Sequence, residues 1–337
     1  MEANIVTSGL QSNKKARVVV CGLSVGPEIE PLWADLSAQT DLTIVEELIP
    51  DAQKGVISEA DVLIVRGAKI SREIIEKAER LKGIVVWGVG YDKVDVAAAT
   101  ERGIPVVTLP VFLASMAEAV FYFMLLITKK YNRLNQLIRT GGRPSLHDRG
   151  RALEGKMLGC VGLGRIGRRV ARIALALDMN ILVYDPYLEE AVIAGHTLPL
   201  VSLDDLLKQS DFVSLHAPLT VETFHLIDAG ALSLMKSEAC LINVARGALV
   251  DESALYNALV KGKLAGAALD VFETEPVSPE NPLLALDNVW ATPHYLGSTR
   301  EGLAQVALAA QDAALKILRG EQPGYNLVNP QIYGEEE

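Results

Sequence analysis

Residues 158–185, LGCVGLGRIGRRVARIALALDMNILVYD, contain the pattern that decides the fold of this chain. The short apolar run Met157 to Val161 predicts a buried strand, and it leads into a G-x-G-x-x-G turn formed by Gly162, Gly164 and Gly167. The first glycine allows a tight turn, the second lets the backbone approach a pyrophosphate, and the third lets helix and strand pack closely. These features in this order predict a dinucleotide-binding βαβ unit.

A helix from about Arg165 to Leu177 follows the turn, because apolar residues recur there at helical spacing. Its amino end directs free N–H groups at the turn, and such groups attract anions. The next strand, Asn180 to Tyr184, ends at Asp185. A carboxylate at this point accepts hydrogen bonds from the adenosine ribose and repels a 2′-phosphate, so the sequence predicts NAD rather than NADP.

The composition is typical of a soluble globular protein and limits the kinds of partner. With 337 residues the chain is long enough for two domains, and its net charge of −10 argues against nucleic acid or an anionic membrane as the partner. The densest apolar run, residues 119–127, is too short to cross a bilayer. Cys21, Cys160 and Cys240 lie in apolar strand-like runs without paired spacing, so we expect buried thiols, a reducing cytoplasm and no metal site.

Strand-like and helical patterns alternate along the chain, which predicts parallel sheets joined by helical crossovers. The expected strands are Arg17 to Cys21, Leu42 to Glu46, Val62 to Arg66, Ile84 to Trp87 and Val106 to Thr108, then Met157 to Val161, Ile181 to Tyr184, Phe212 to Leu215, Ala239 to Asn243, Gly266 to Leu269 and Val289 to Ala291. One helical pattern from Val111 to about Ile138 separates the two groups of strands, and another extends from near Ser298 to Leu318. We therefore expect a discontinuous substrate domain, 1–110 with 304–337, an NAD-binding domain, 111–303, and a cleft between them.

Polar residues follow three strands of the second group, at the sheet edge where open α/β sheets place ligands: Arg246, Glu275 and His294. Hydride transfer at an alcohol carbon requires a group that removes the hydroxyl proton, and histidine does this near neutral pH. We expect Glu275 to stabilise the protonated ring of His294, and Arg246 to hold a substrate anion through two hydrogen bonds. Each residue alone is also compatible with an ordinary loop or surface position, but their combination on one nucleotide-binding sheet favours a dehydrogenase.

Longer stretches resemble the D-isomer-specific 2-hydroxyacid dehydrogenase family, which includes phosphoglycerate dehydrogenases, glyoxylate/hydroxypyruvate reductases and D-lactate dehydrogenases. The similar stretches cover nearly the whole chain: GVGYDKVDVAAATERGIPV at 88–106, LEGKMLGCVGLGRIG at 153–167, SLHAPLTVETFHLID at 214–228, LINVARGALVDESAL at 241–255, GAALDVFETEP at 266–276 and TPHYLGSTRE at 292–301. The resemblance implies an α/β fold of two doubly wound parallel-sheet domains, a Rossmann NAD domain and a smaller flavodoxin-like substrate domain. It also implies an NAD-dependent oxidoreductase in which Arg246, Glu275 and His294 form the catalytic set.

The resemblance further implies which residues contact the ligands. Substrate contacts are expected from the backbone N–H groups of Val89 and Gly90 and from the side chains of Arg66, Arg246 and His294. NAD contacts are expected from Gly162, Gly164, Arg165, Ile166, Gly167, Asp185, His216, Ala217, Pro218, Thr223, Val244, Ala245, Arg246, Asp270, His294 and Gly297. Asp270 would fix the nicotinamide through its carboxamide. His216 would line the cofactor without proton chemistry, and His225 would belong to a structural turn.

One departure from the family pattern concerns a helix that the resemblance places at a homodimer interface. Many relatives carry Val-Ala-Glu-His where this chain has Met116–Ala117–Glu118–Ala119. The missing histidine bears on the interface and on cleft polarity, but the reaction does not depend on it.

The residues leave more than one function open. We expect reduction of glyoxylate or hydroxypyruvate to the D-2-hydroxy acid, and D-3-phosphoglycerate oxidation is the runner-up because Arg66 and Lys69 are cations available to a phosphate. An NAD(H)-sensing scaffold like the C-terminal-binding corepressors is the alternative from a different class. Formate-oxidising relatives carry Gln where this chain has Glu275, which favours the 2-keto acid reaction.

Overall fold

The computed structural model of the chain describes residues 15–22, 30–45, 48 and 54–334. The chain divides into two compact units. Unit 1 consists of Met1–Val111 with Leu303–Glu337, and unit 2 consists of Phe112–Gly302. Each unit is built around one six-stranded sheet, so each has a hydrophobic core of its own.

The strands and helices alternate along most of the chain. The strands are β1 (Arg17–Gly22), β2 (Asp41–Val45), β3 (Val62–Arg66), β4 (Gly83–Val86), β5 (Val106–Thr108), β6 (Met157–Val161), β7 (Asn180–Tyr184), β8 (Val192–Ile193), β9 (His196–Thr197), β10 (Phe212–Leu215), β11 (Cys240–Asn243), β12 (Gly266–Leu269), β13 (Val289–Ala291) and β14 (Asn326–Leu327). The helices are α1 (Ala34–Gln39), α2 (Lys54–Ser58), α3 (Arg72–Lys77), α4 (Val96–Glu101), α5 (Leu113–Thr128), α6 (Tyr131–Arg139), α7 (Arg165–Ala176), α8 (Leu203–Gln209), α9 (Ala229–Leu234), α10 (Glu252–Val260) and α11 (Arg300–Leu318).

The sheet of unit 1 has the strand order β14-β5-β4-β3-β1-β2. Strands β1 to β5 pair in parallel, and β14 pairs antiparallel with β5. Strand β1, which lies between β3 and the edge strand β2, is apolar and buried on both faces, since Val18 and Val19 have no exposed surface. Such continuous burial is expected of an internal strand in a parallel sheet covered by helices, and it explains why β1 lacks a polar side.

The sheet of unit 2 has the order β13-β12-β11-β10-β6-β7, with all neighbouring strands parallel. One face packs against α5 and α7, and the other packs against α8, α9 and α10. Neighbouring strands are in register, with Asn243 opposite Leu269 and Leu269 opposite Ala291. The carboxyl ends of β11, β12 and β13 therefore lie side by side along one edge of the sheet.

The prediction of an α/β fold with two doubly wound parallel sheets is confirmed, and the strand bounds differ by only a residue or so at several ends. The first sheet contains one strand that was not predicted, β14, because two residues are too short to show a period. The two-residue strands β8 and β9, which pair as a hairpin in unit 2, were not predicted for the same reason. The last residue of the predicted strand Leu42 to Glu46 lies outside the described residues.

The prediction of one helical segment from Val111 to about Ile138 is wrong, because the structure has two helices there, α5 and α6. They are separated at Lys130, whose φ of 52° lies in the left-handed region. A residue with a side chain adopts this conformation at a cost of roughly 1 kcal/mol, and no glycine or proline marks the break. In the described part of the chain, every helix is too short or too polar to cross a membrane.

Candidate active site

The glycine turn after β6 has the geometry that a bound pyrophosphate requires. Gly162 has a φ of +90°, which favours glycine, and a Cβ on Gly167 would lie 2.3 Å from the carbonyl oxygen of Gly162. A Cβ on Gly164 would meet nothing within 4 Å, so the space beside this residue is open. Two glycines thus close the turn tightly, and the third leaves room where a phosphate is expected.

The amino end of α7 and the carboxylate of Asp185 complete this half of the site. Helix α7 begins at Arg165 after Gly164, which offers no capping side chain. Asp185 accepts hydrogen bonds from the Leu163 N–H through Oδ2 (2.9 Å) and from the Tyr187 N–H through Oδ1 (3.2 Å). A carboxylate has about four lone-pair positions, so Asp185 retains the capacity to accept from ribose hydroxyls. These residues fit NAD.

His216 lies directly behind the glycine turn, after β10. A Cβ on Gly162 would be 3.0 Å from the His216 carbonyl carbon, and one on Gly167 would be 3.6 Å from its Cδ2 atom. Both ring nitrogens are buried and have no hydrogen-bond partner among the described residues. Burial lowers the pKa of His216 to about 4, so the ring is neutral at physiological pH and is not suited to proton transfer.

Thr223, another expected cofactor contact, has its hydroxyl engaged within its own turn. The Thr223 Oγ1 donates to the Pro218 carbonyl oxygen (2.7 Å) and accepts from the Thr220 N–H (2.7 Å). A hydroxyl has one proton to donate. Thr223 therefore shapes the loop that contains Ala217 and Pro218.

Three neighbouring strands, β11, β12 and β13, end beside the loops that carry Arg246, Asp270 and His294. The turn after β11 is closed by the buried Asn243, whose Nδ2 donates to the Arg246 carbonyl oxygen (2.8 Å) and whose Oδ1 accepts from the Ala245 N–H (3.1 Å). The Arg246 Nη1 donates to the Ala245 carbonyl oxygen (2.7 Å). The side-chain amide of Asn243 thus fixes the backbone conformation at Ala245 and Arg246.

His294 and Glu275 form a hydrogen-bonded pair. The Nδ1 atom of His294 lies 2.9 Å from Oε2 of Glu275, and the Oε1 atom of Glu275 accepts from the Phe272 N–H (3.2 Å). The His294 side chain is 47% exposed and that of Glu275 is 26% exposed. Because Nδ1 faces the carboxylate, Nε2 is the ring nitrogen that can exchange a proton with a substrate.

Asp270 holds the loop that carries His294. Its Oδ1 atom accepts hydrogen bonds from the hydroxyl of Thr292 (2.6 Å) and the N–H groups of Tyr295 (3.0 Å) and Leu296 (3.1 Å), and its carbonyl oxygen accepts from the His294 N–H (2.7 Å). Only 1% of Asp270 is exposed, and burial raises the pKa of its carboxyl against the effect of these hydrogen bonds. Asp270 therefore positions His294, in addition to the nicotinamide contact expected from the sequence.

Helix α5 supplies two residues of the site that the sequence analysis did not identify. The Ser115 hydroxyl donates to the carbonyl oxygen of Gly297 (2.6 Å), and a Cβ on Gly297 would lie 2.0 Å from the Met116 sulfur. These contacts hold the turn that follows His294. Residues 115 and 297 are too far apart in the chain for a local pattern to connect them.

The expected substrate residues of unit 1 follow two neighbouring strands of its sheet. Arg66 ends β3, and Val89 and Gly90 follow β4. The guanidinium carbon of Arg66 lies 5.7 Å from the centre of the Trp87 ring, a cation–π contact that restrains the side chain. Trp87 was not identified as a site residue, because an aromatic residue at a strand end usually belongs to the core.

Comparison with known proteins gives the family of this chain. The family model for the NAD-binding domain of D-isomer specific 2-hydroxyacid dehydrogenases matches residues 121–295. A D-3-phosphoglycerate dehydrogenase of Methanocaldococcus jannaschii is 45% identical over 276 residues, which are 81% of this chain and 52% of the relative. This chain thus spans about half the length of that protein.

Two further proteins are matched over most of their length. A hydroxypyruvate reductase of Thermotoga maritima is 42% identical over 279 residues, which cover 81% of this chain and 90% of the relative. The crystal structure of a D-lactate dehydrogenase of Aquifex aeolicus, complexed with NAD and lactic acid, superposes with a TM-score of 0.85 at 31% identity, covering 93% of this chain and 99% of that one. The predicted family and the predicted cofactor, NAD, are confirmed. The chain belongs to the D-isomer specific 2-hydroxyacid dehydrogenase family, and its unit 2 contains the NAD-binding domain of that family.

Proposed function

We propose that this protein interconverts a small 2-keto acid and its D-2-hydroxy acid, with glyoxylate or hydroxypyruvate as the keto acid. The observation that carries the proposal is the hydrogen bond between His294 Nδ1 and Glu275 Oε2 at the sheet edge of an NAD-binding domain. A carboxylate-supported imidazole is the acid–base group that a carbonyl reduction requires.

The three catalytic residues have separate roles in this proposal. NADH, when bound, supplies the hydride. His294 donates a proton from Nε2 to the carbonyl oxygen during reduction and accepts it during oxidation, and Glu275 stabilises the positive charge on the ring. Arg246 binds the substrate carboxylate and the carbonyl oxygen, because its guanidinium stays charged and offers parallel N–H groups.

The remaining site residues hold the ligands. For the substrate we propose the N–H groups of Val89 and Gly90 and the guanidinium of Arg66, so that unit 1, within the proposed bounds 1–110 and 304–337, is the substrate domain. For NAD we propose, within 111–303, Gly162, Gly164, Arg165, Ile166, Gly167, Asp185, His216, Ala217, Pro218, Thr223, Val244, Ala245, Arg246, Asp270, His294 and Gly297. The support is their position on loops at the carboxyl ends of parallel strands, where α/β sheets bind ligands.

A direct assay tests the proposal. The purified protein is mixed with NADH and, separately, with glyoxylate, hydroxypyruvate, pyruvate and phosphohydroxypyruvate, and the loss of nicotinamide absorbance is followed. We expect the highest kcat/KM with glyoxylate or hydroxypyruvate. No turnover of any 2-keto acid, together with partner binding that depends on NADH, would instead support the corepressor-like scaffold.

The second candidate is D-3-phosphoglycerate oxidation, favoured by Arg66 and by the name of the Methanocaldococcus relative. A phosphate requires cations beyond the group that binds the carboxylate, and Arg66 is restrained by its contact with Trp87. A higher kcat/KM for phosphohydroxypyruvate than for glyoxylate and hydroxypyruvate in the same assay would select this candidate.

We also propose that the protein is a homodimer that uses α5 and α6. Exposed apolar side chains line these helices: Tyr122 (51% exposed) and Leu125 (42%) on α5, and Leu134 (37%) and Ile138 (76%) on α6. Apolar patches of this kind mark interaction surfaces. Analytical ultracentrifugation should show a dimer that the double variant Leu134→Glu/Ile138→Glu converts into a monomer.

A cytoplasmic location is part of the proposal. Cys21, Cys160 and Cys240 are free and buried, and free thiols of this kind are usual in a reducing compartment. Fractionation of the producing cell, with detection by an antibody against the chain, tests this location.

A further inference from the structure

The loop that carries Glu275 is fastened to the amino end of α10 by two crossed hydrogen bonds. The Glu273 N–H donates to Oε1 of Glu252 (2.6 Å), and the Glu252 N–H donates to Oε1 of Glu273 (2.9 Å). Each carboxylate thus satisfies the backbone donor of the other residue. Two reciprocal bonds fix both the distance and the orientation of the loop relative to the helix.

Two further side chains complete this network, which we name the Glu273 clamp: Glu273, Glu252, His225 and Asn281. The Nε2 atom of His225 lies 3.1 Å from Oε1 of Glu273, and the Nδ2 atom of Asn281 donates to Oε2 of Glu252 (2.8 Å). His225 has a φ of 51°, and its N–H donates to the Ala248 carbonyl oxygen (2.8 Å). The clamp therefore joins four segments of unit 2.

The backbone beside the clamp is packed too closely to shift freely. A Cβ on Gly247 would lie 1.9 Å from the carbonyl carbon of Phe272, so the turn after Arg246 touches the start of the Glu275 loop. Phe272 is 4% exposed within the core, and its N–H binds Glu275. Because this loop is closely packed and Glu275 lies only two residues after Glu273, we expect a displacement at Glu273 to move Glu275 as well.

We propose that Glu273 and Glu252 are positioning residues, which hold Glu275 at hydrogen-bonding distance from His294. The inference rests on the proposed function, because it concerns the acid–base pair of that reaction. A carboxylate misplaced by about 1 Å lowers turnover by up to about 100-fold, since it no longer orients the imidazole of His294. In the described part of the chain, the hydrogen bonds of the clamp join its own four residues and Asp185 binds the Leu163 and Tyr187 N–H groups instead, so we expect the Kd for NADH to change little when the clamp is lost.

The test compares Glu273→Ala, Glu273→Gln and Glu252→Ala with Glu280→Ala, an exposed carboxylate of the same segment that lies outside the clamp. We expect Glu273→Ala and Glu252→Ala to lower kcat by roughly 10- to 100-fold, where kcat is calculated from the concentration of sites that bind NADH. The Kd for NADH should be unchanged. Glu273→Gln should retain most of the activity, because the amide oxygen still accepts from the Glu252 N–H. Glu280→Ala should behave like the wild type.

Several outcomes would overturn the inference. One is loss of activity in Glu273→Gln equal to that in Glu273→Ala, which would mean that charge, not position, matters. Wild-type kcat in Glu273→Ala is another. A third is that both alanine variants lose activity only in proportion to the number of sites that still bind NADH. That result would mean that the two residues are needed for folding and have no separate positioning role.

A second readout separates this inference from the proposed function. The imidazole ¹⁵N resonances of His294, assigned with His294→Asn, report the Glu275 contact without turnover. If the wild type reduces no 2-keto acid, the proposed function fails. The positioning inference then stands if Glu273→Ala changes these resonances as Glu275→Ala does, and it falls if only Glu275→Ala changes them.

Discussion

The two sheets of this protein begin with the same winding but differ at the end of their first strand. In unit 1 the first strand, β1, lies between β2 and β3, and in unit 2 the first strand, β6, lies between β7 and β10. A Cβ on Gly22, which ends β1, would lie 1.8 Å from the Arg66 carbonyl oxygen, whereas one on Gly164, beyond β6, would meet nothing within 4 Å. The backbone also approaches a neighbouring strand at the end of β6, since a Cβ on Gly162 would lie 2.9 Å from the Ala217 nitrogen, but in unit 2 the open Gly164 follows two residues later, directly before α7.

This difference shows that strand order alone does not make a nucleotide site. Both sheets expose the carboxyl ends of parallel strands, the edge at which α/β folds bind ligands. In the described part of the chain, the unit 2 sheet places an open glycine, Gly164, directly before a helix, α7, whose first N–H groups receive no side-chain cap. The ionisable side chains lie on the three loops that follow β11, β12 and β13: Arg246, Glu275 and His294.

The largest effect is expected when the proposed proton donor, His294, is removed from unit 2. His294→Asn should lower kcat for keto acid reduction by roughly 1,000-fold, because general acid catalysis contributes about 10²- to 10⁴-fold. The Kd for NADH, measured by fluorescence titration, should stay close to that of the wild type. Retention of more than a tenth of the wild-type kcat would contradict the assigned role.

The second prediction concerns pH, because all five histidines of the chain, among them the buried His216, belong to unit 2. Burial lowers the pKa of His216 from 6.5 to about 4, so the unfolded chain binds its proton first as the pH falls. The stability that the neutral ring contributes is complete above pH 6.5 and is lost progressively towards pH 4, by about 3 kcal/mol in total.

Calorimetry at both ends of this range checks the prediction. His216→Leu should reduce the acid-induced loss of unit 2 stability, whereas the exposed control His196→Asn should not change it. An equal acid sensitivity in His216→Leu and the wild type would show that another group is responsible.

A third prediction exchanges glycine for alanine at the two contrasted strand ends. Gly164→Ala should leave the Tm unchanged and weaken NADH binding by roughly 100-fold, or about 2.7 kcal/mol, because its methyl group occupies the open space. Gly22→Ala should lower the stability of unit 1 by about 2 kcal/mol or more, since its Cβ overlaps backbone, and should not change the Kd for NADH. Thermal unfolding and NADH titration of both variants would refute the contrast if the two behaved alike.

The smallest effect is expected from the substrate cation proposed in unit 1. Arg66→Met should raise the KM for the keto acid by roughly 10-fold, or about 1.4 kcal/mol, with little change in kcat. Lys69→Met, on the same loop, is the matched control and should leave the KM for glyoxylate unchanged. Steady-state kinetics with saturating NADH distinguish the two outcomes, and a selective fall in kcat would argue against a binding role for Arg66.

The sequence by itself determined the features that depend on neighbours along the chain. Buried strands such as Met157 to Val161, the glycine turn, and the carboxylate at Asp185 are visible because apolar period, turn chemistry and a fixed spacing are local properties. The order of strand, glycine turn, helix, second strand and Asp185 also predicted NAD as the cofactor, and the longer similar stretches predicted the family. It also selected Arg246, Glu275 and His294 as candidates, since each lies shortly after a recognisable strand.

Only the tertiary structure decided which of these groups meet and what holds them. The His294–Glu275 bond joins residues from different loops, and Ser115 reaches Gly297 across 182 positions of the chain. The break at Lys130 and the reciprocal bonds of Glu252 with Glu273 also left no sign in the pattern. Hydrogen bonds between distant segments depend on how the sheet and its loops are arranged in space, and no periodicity in the sequence records them.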